Sequence, residues 1–184
     1  MNKGARGALI GPIVQQLRAL VAGEERLRVY NDHVGEQRQR LWSFFGDEPR
    51  RRNNLSSVDI LIADSERGEA LLILEIEETN ASPKTLLGDV FAVAFGGHIS
   101  AKGGLRYKVT RDTELWVCFE VEAKGYQREK AEALKNPVCE ALAHVPNPLQ
   151  LSFIIAESPQ ELVERVCAAA RQWLERKSGA PPRR

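Results

Sequence analysis

Cysteine is scarce in this chain: there are three in 184 residues, Cys118, Cys139 and Cys167, spaced twenty or more residues apart. They form no CxxC pair and leave one thiol over, so neither a zinc knuckle nor a disulfide framework is supported, and a reducing, cytoplasmic setting is expected. An excess of either charge is also missing, since 26 Lys and Arg face 25 Asp and Glu for a net charge of +1. Without a global positive field, any nucleic-acid binding must come from local basic patches. No run approaches the roughly 18 to 20 apolar residues of a membrane span. The first apolar stretch, 8–14, is broken by Gly11 and Pro12 and followed by Gln15 and Gln16, so neither a membrane segment nor a cleaved signal is expected. Walker, HExxH and GxSxG motifs are absent, which leaves nucleotide hydrolysis, zinc proteolysis and serine hydrolysis without support. There is no internal repeat or low-complexity segment, and only the tail 179–184 is expected to fray.

What is present is a globular composition, 43% hydrophobic and 28% charged, sized for one domain around one core. Apolar residues at Ile10, Ile13, Leu17 and Leu20, then at Leu27, Tyr30, Val34, Leu41 and Phe45, recur at helical spacing, so residues 1–46 read as a mostly helical N-terminal part. The sequence Gly46-Asp47-Glu48-Pro49 stops it, and Arg50-Arg51-Arg52-Asn53-Asn54 makes a basic connector. Two apolar runs, 58–63 and 70–76, separated by six polar or glycine residues, predict a β-hairpin. Ile60, Ile62, Leu72 and Leu74 fall on one face and Leu61, Ala63, Leu71 and Ile73 on the other, the pattern of central strands covered on both sides. A helix opens at Ser82-Pro83 and ends at Gly96-Gly97. A glycine-rich basic loop over 101–111, a strand over 115–121, a helix over 126–144 restarted at Asn136-Pro137, and a strand over 149–156 follow. The last helix starts in the capping box Ser158-Pro159-Gln160-Glu161. This order predicts a single α/β domain with a central mixed sheet flanked by helices: a core over 55–156 and a C-terminal helix over 158–178.

Acids intrude on strands that otherwise suit burial. Asp59 begins the first hairpin strand, and Glu75 and Glu77 flank Ile76 at the end of the second. Side chains at i and i+2 share a face of a strand, so Glu75 and Glu77 project together. If Asp64 pairs with Ala70, Asp59 lies opposite Glu75, with Cβ atoms within roughly 5.5 Å. A slip of one residue would send Asp59 to the other face. Three carboxylates on one buried patch repel, and a hard divalent cation removes that penalty. Oxygen-only ligation with open water positions suits Mg2+, with Mn2+ able to substitute.

The arrangement Ser57-Val58-Asp59 on one hairpin strand and Glu75-Ile76-Glu77 on the next, followed by a helix, resembles the PD-(D/E)XK nuclease superfamily, which includes many type II restriction endonucleases. The likeness spans residues 30–121 in element order; its motif is three residues, and Glu77 stands where most members have Lys. It implies a restriction-endonuclease-like core and a metal-dependent endonuclease acting on double-stranded DNA. Asp59 and Glu75, with the main-chain carbonyl of Ile76, would hold the metal, and Glu77 would orient or deprotonate the attacking water. Glu36 is a candidate for the helical acid that often completes such sites, although it lies about 200° from Val34 on a helical wheel. Lys84 is a candidate for the missing cation. One site cuts one strand, so a homodimer is expected. The alternatives are an inactive domain of the same fold that binds nucleic acid or a protein, and a resolvase or repair nuclease.

Lys102, Arg106, Lys108 and Arg111 make 101–111 a segment without acids, read here as a phosphate-contacting loop; Arg50, Arg51 and Arg52 are read likewise. His33, His98 and His144 are scattered and read as turn or surface residues, and Trp42, Trp116 and Trp173 as core.

Overall fold

An apolar central hairpin organises the molecule. The computed structural model describes residues 4–32, 39–77, 83–120 and 126–178. In chain order these form α1 (Gly4–Val21), β1 (Leu27–Asn31), β2 (Trp42–Phe44), β3 (Asn54–Ser57), β4 (Ile60–Asp64), β5 (Glu69–Glu77), α2 (Pro83–Gly96), β6 (His98–Ser100), β7 (Arg106–Glu120), α3 (Tyr126–Leu142), β8 (Gln150–Ala156) and α4 (Pro159–Ser178). The strands make one mixed sheet in the order β1-β4-β5-β7-β6-β2-β3, with β8 also on β7. β7 serves two partners along one edge because it is 15 residues long: Arg106–Lys108 pair with β6, and the stretch from Glu114 onward runs parallel to β8. The fold is therefore α/β with helices on both faces of a mixed sheet. Among the described residues, no helix is long and apolar enough to cross a membrane.

The alternation in the hairpin decides which helix covers which face. Ile60, Ile62, Leu72 and Leu74 pack with Ile10, Ile13 and Leu17 of α1 and Leu162, Val166 and Trp173 of α4. Leu61, Ala63 and Ile73 pack with Leu86, Val90 and Val93 of α2 and Val138 and Leu142 of α3. Each such aliphatic side chain, fully buried, stabilises the fold by about 1.5–3 kcal/mol before entropy is counted. The hairpin follows the expected register from Ile60↔Leu74 to Ile62↔Leu72, then shifts by one at a bulge, so that Asp64 pairs with Glu69 rather than with Ala70. Leu71 is the extra residue, and it packs toward the α1/α4 core instead of the face that strict alternation predicts.

The N-terminal part departs most from the sequence reading. Among the described residues there, only α1 is helical; Leu27 and Tyr30 lie on β1, Leu41 to Phe45 surround β2, and Val34 lies outside the described residues. Leu27, Val29 and Tyr30 fit a helical stripe and a short strand equally well by spacing. Tertiary pairing of β1 with β4, from Leu27↔Asp64 to Asn31↔Ile60, selects the strand. The basic connector is the loop of a β2–β3 hairpin, pinned by Asn53: its Nδ2 donates to the carbonyls of Phe45 (2.6 Å) and Glu48 (2.8 Å), and its Oδ1 accepts from Arg50 N–H (2.6 Å).

Residues 101–111 are also not one loop. A single 3₁₀ turn, Lys102–Gly104, joins β6 to β7, and Arg106 to Arg111 belong to β7. α3 runs through Pro137 without restarting, because Val138 and Leu142 beyond the proline bury against the sheet. In the α4 capping box, Ser158 Oγ accepts from Glu161 N–H (3.2 Å) as expected, but the Glu161 carboxylate takes the amide of Glu157 (2.7 Å) rather than that of Ser158. Gly96 closes α2 against β2, where a Cβ would stand 2.2 Å from Ser43 Oγ and 3.0 Å from the Phe44 backbone.

Candidate acidic site at the end of the central hairpin

The β4–β5 ladder ends at Ile60↔Leu74, where the preceding chain peels away: Val58 N–H goes to the Leu41 carbonyl (3.0 Å), toward β2 and β3. Asp59 stands at this fork. The register that pairs Ile60 with Leu74 carries Asp59 opposite Glu75, on the face shared by Leu61 and Ile73. Its Oδ2 accepts the Ile76 N–H at 2.8 Å, taking the place of a ladder carbonyl, and its own carbonyl accepts the Asp32 N–H at 3.1 Å. Glu77, two residues beyond Glu75, projects to the same side. All three acids are buried, with exposures of 5% for Asp59, 4% for Glu75 and 3% for Glu77.

Burial, first of all, holds the Glu75 carboxyl well above the usual carboxylate range. The negative charges of Asp59, Asp89 and Glu77 push it further, and a hydrogen bond from the Asp59 backbone offsets part of the shift. Glu75 Oε1 is buried and has no hydrogen-bond partner among the described residues. On the other face, Cys118 feels the same cluster: its thiol is pushed up by burial and then by Asp59 and Glu75, so it is not a reactive thiolate.

Two acids at this site escape the sequence reading. Asp89 on α2 acts on Glu75 electrostatically. Its signal was available, because Asp89 follows Leu86 by three residues and precedes Val93 by four, both buried, so an acid occupies the helix's apolar stripe. Asp32, 9% exposed, extends β1 beside Asp59, so Asp32, Asp59 and Glu75 follow one another across three strands. A helical reading of 27–31 hides it.

Lys84 is exposed, makes no ion pair among the described residues, and lies five residues before Asp89, about 140° round the helix. No ion pair among the described residues joins it to the acids. Glu36 lies outside the described residues. The basic residues are not brought to the acids either. Arg106 and Lys108 flank Tyr107, whose ring belongs to the α2/α3 core, so their side chains leave from the opposite face of the sheet. Lys108 pairs with Glu69, six residues along β5 from Glu75, or about 20 Å. Arg50, Arg51 and Arg52 are exposed on the β2–β3 loop, where Arg106 Nη1 donates to the Asp47 carbonyl; Lys102 is exposed at the β6–β7 turn.

An all-oxygen donor set containing a buried, unpartnered carboxylate oxygen suits a hard divalent cation in chemistry. The convergence is incomplete: among the described residues, no group of three or more His, Cys, Asp or Glu side chains is placed to hold a metal ion. Backbone amides engage both carboxylates, that of Ile76 on Asp59 and that of Asp59 on Glu75. No family model, curated protein or solved structure matches the chain.

Proposed function

We propose that the chain is a Mg2+-dependent endonuclease of the PD-(D/E)XK kind, in its Glu-x-Glu variant, cutting double-stranded DNA as a homodimer. The observation that carries this reading is Glu75: a carboxylate at 4% exposure, with an unpartnered oxygen, among Asp59, Glu77 and Asp89 on one sheet face. Such a group raises the free energy of the fold unless a proton or a cation neutralises it, and a divalent cation would do so for the whole cluster. Asp59, Glu75 and the Ile76 carbonyl would hold the ion, while Asp59 Oδ2 keeps the Ile76 amide. A bound divalent ion stabilises charge on a scissile phosphate and lowers the pKa of water. Glu77 then orients the attacking water and accepts its proton, and its neighbours on β5 fix its position.

The test is plasmid cleavage with Mg2+ or Mn2+ by the parent and by Glu75→Gln, with EDTA as control. Metal-dependent nicking or linearisation that Glu75→Gln abolishes supports the reading, and no cleavage by the parent with either ion ends it. The incomplete convergence of donors favours a second reading, an inactive domain of this type that binds nucleic acid or a protein, which would give binding without cleavage. Cleavage confined to branched or damaged DNA would identify a resolvase or repair nuclease instead.

A further inference from the structure

We propose that the β2–β3 loop and the β6–β7 edge beside it bind single-stranded nucleic acid, with Phe45 as a stacking platform and Arg50, Arg52, Arg106 and Lys108 as phosphate contacts. Phe44, His98 and Lys108 lie opposite one another across β2, β6 and β7, as do Trp42, Ser100 and Arg106, and residues opposite in a ladder share a face. The β2–β3 loop folds onto this face. Phe44 is fully covered, its ring stacked on His98 at 5.4 Å, and the Arg106 guanidinium reaches the Asp47 carbonyl. Two basic segments far apart in sequence, 50–52 and 106–108, therefore share one surface.

Three acids also lie there, but only one is in an ion pair: Glu48 holds Arg50 at 2.8 Å, while Asp47 and Glu69, the latter across from Lys108, make none. Arg51, Arg52 and Lys108 have no ion-pair partner among the described residues, so the surface keeps a positive excess. Its field is felt by His98, whose imidazole is held below its usual range by burial first and then by Lys108 and Arg106, with Asp47 opposing. Phe45, 49% exposed, lines an open cavity of about 560 Å³ together with Arg50, Arg52, Asn53 and the acids Asp47 and Glu48. An exposed ring that shares its cavity with two arginines offers a flat apolar surface for a base and planar donors for the flanking phosphates. A duplex hides its base faces, so the exposed ring favours a single strand. This surface is separate from the acids, and the inference does not rest on nuclease activity.

The experiment is fluorescence anisotropy of a labelled oligothymidine in EDTA over a range of salt. The parent should bind, with affinity falling as salt rises. Arg52→Ala and Lys108→Ala should each reduce the log–log salt slope by about 0.7. Phe45→Ala should bind roughly tenfold more weakly with the slope unchanged, and Phe45→Trp should restore affinity. Glu75→Gln should bind as the parent does, which separates this surface from the acidic site whether or not the chain cuts DNA. The inference is overturned if the parent does not bind at low salt, if Phe45→Ala binds like the parent, or if a duplex of equal length binds more tightly. Equal displacement of the oligonucleotide by polyglutamate would likewise overturn it, leaving only a general polyanion surface.

Discussion

A carboxylate placed where Glu75 sits works against the fold that surrounds it. Its ordinary value is 4.5, and burial with three acidic neighbours raises it well above that. Between 4.5 and the raised value the folded chain holds a proton that the unfolded chain has lost, so stability falls as pH rises through this window. Glu75→Gln keeps the shape without the charge. In metal-free buffer it should melt above the parent at pH 8, and the gap should shrink as pH falls through 4.5, below which the unfolded parent is protonated as well. Equal melting temperatures at pH 8 would mean that the charge costs the fold nothing.

Glu77 calls for a different measurement, because its proposed role is in the reaction and not in holding the ion. Glu77→Ala should leave duplex binding in Ca2+ nearly intact while cleavage in Mg2+ falls by orders of magnitude, as when only transition-state stabilisation is lost. Glu77→Lys restores the commoner residue of the resembled motif and should keep part of the cutting. Unchanged cleavage by Glu77→Ala would remove Glu77 from the chemistry.

At the scale of elements, the β4–β5 hairpin depends on how its turn is tied. Asp64, 1% exposed, ends β4, and its Oδ1 accepts the amides of Glu66 and Arg67 at 3.0 Å each, while its Oδ2 faces Arg26 at 3.4 Å. The Gly68 amide returns to the Asp64 carbonyl at 2.9 Å, with Gly68 at φ +67°, which glycine adopts without steric cost. Asp64→Ala leaves two turn amides without their acceptor and should cost about 1–3 kcal/mol. Urea unfolding followed by tryptophan fluorescence measures it, and a loss within error of zero would show that water replaces the side chain.

The same hairpin explains what was legible in the sequence. Both of its faces are apolar over several residues, so the type of element, its partner and the positions of Asp59, Glu75 and Glu77 could be read directly. The local offset of the bulge at Leu71 could not, because alternation carries no mark of one extra residue. β1 failed for another reason: five residues cannot separate a strand from one helical turn by spacing, and only β4, thirty residues on, decides it. Missing β1 also hid Asp32. The basic segment 106–108 was legible in charge but not in direction, since its face is set by Tyr107 entering the α2/α3 core.

Across the whole molecule, the acids and the cations occupy opposite faces and opposite ends of the sheet, and this constrains how two strands can be cut. Asp59, Glu75 and Glu77 form one cluster per chain, so hydrolysis of both strands at one locus needs two copies, each presenting its α2/α3 face near the hairpin end to one backbone. If the chain acts as the proposed homodimer, a mixture of parent and Glu75→Gln chains, unfolded and refolded together, contains dimers with one working cluster. Those dimers should nick supercoiled plasmid to open circles, so the ratio of nicked to linear product should rise as the variant fraction increases. A chain that cuts both strands by itself, rebinding between cuts, would lose total rate in the mixture while keeping the product ratio of the parent. Gel quantification of open-circle and linear DNA over a series of mixing ratios distinguishes the two, and a constant ratio would rule out the obligate dimer.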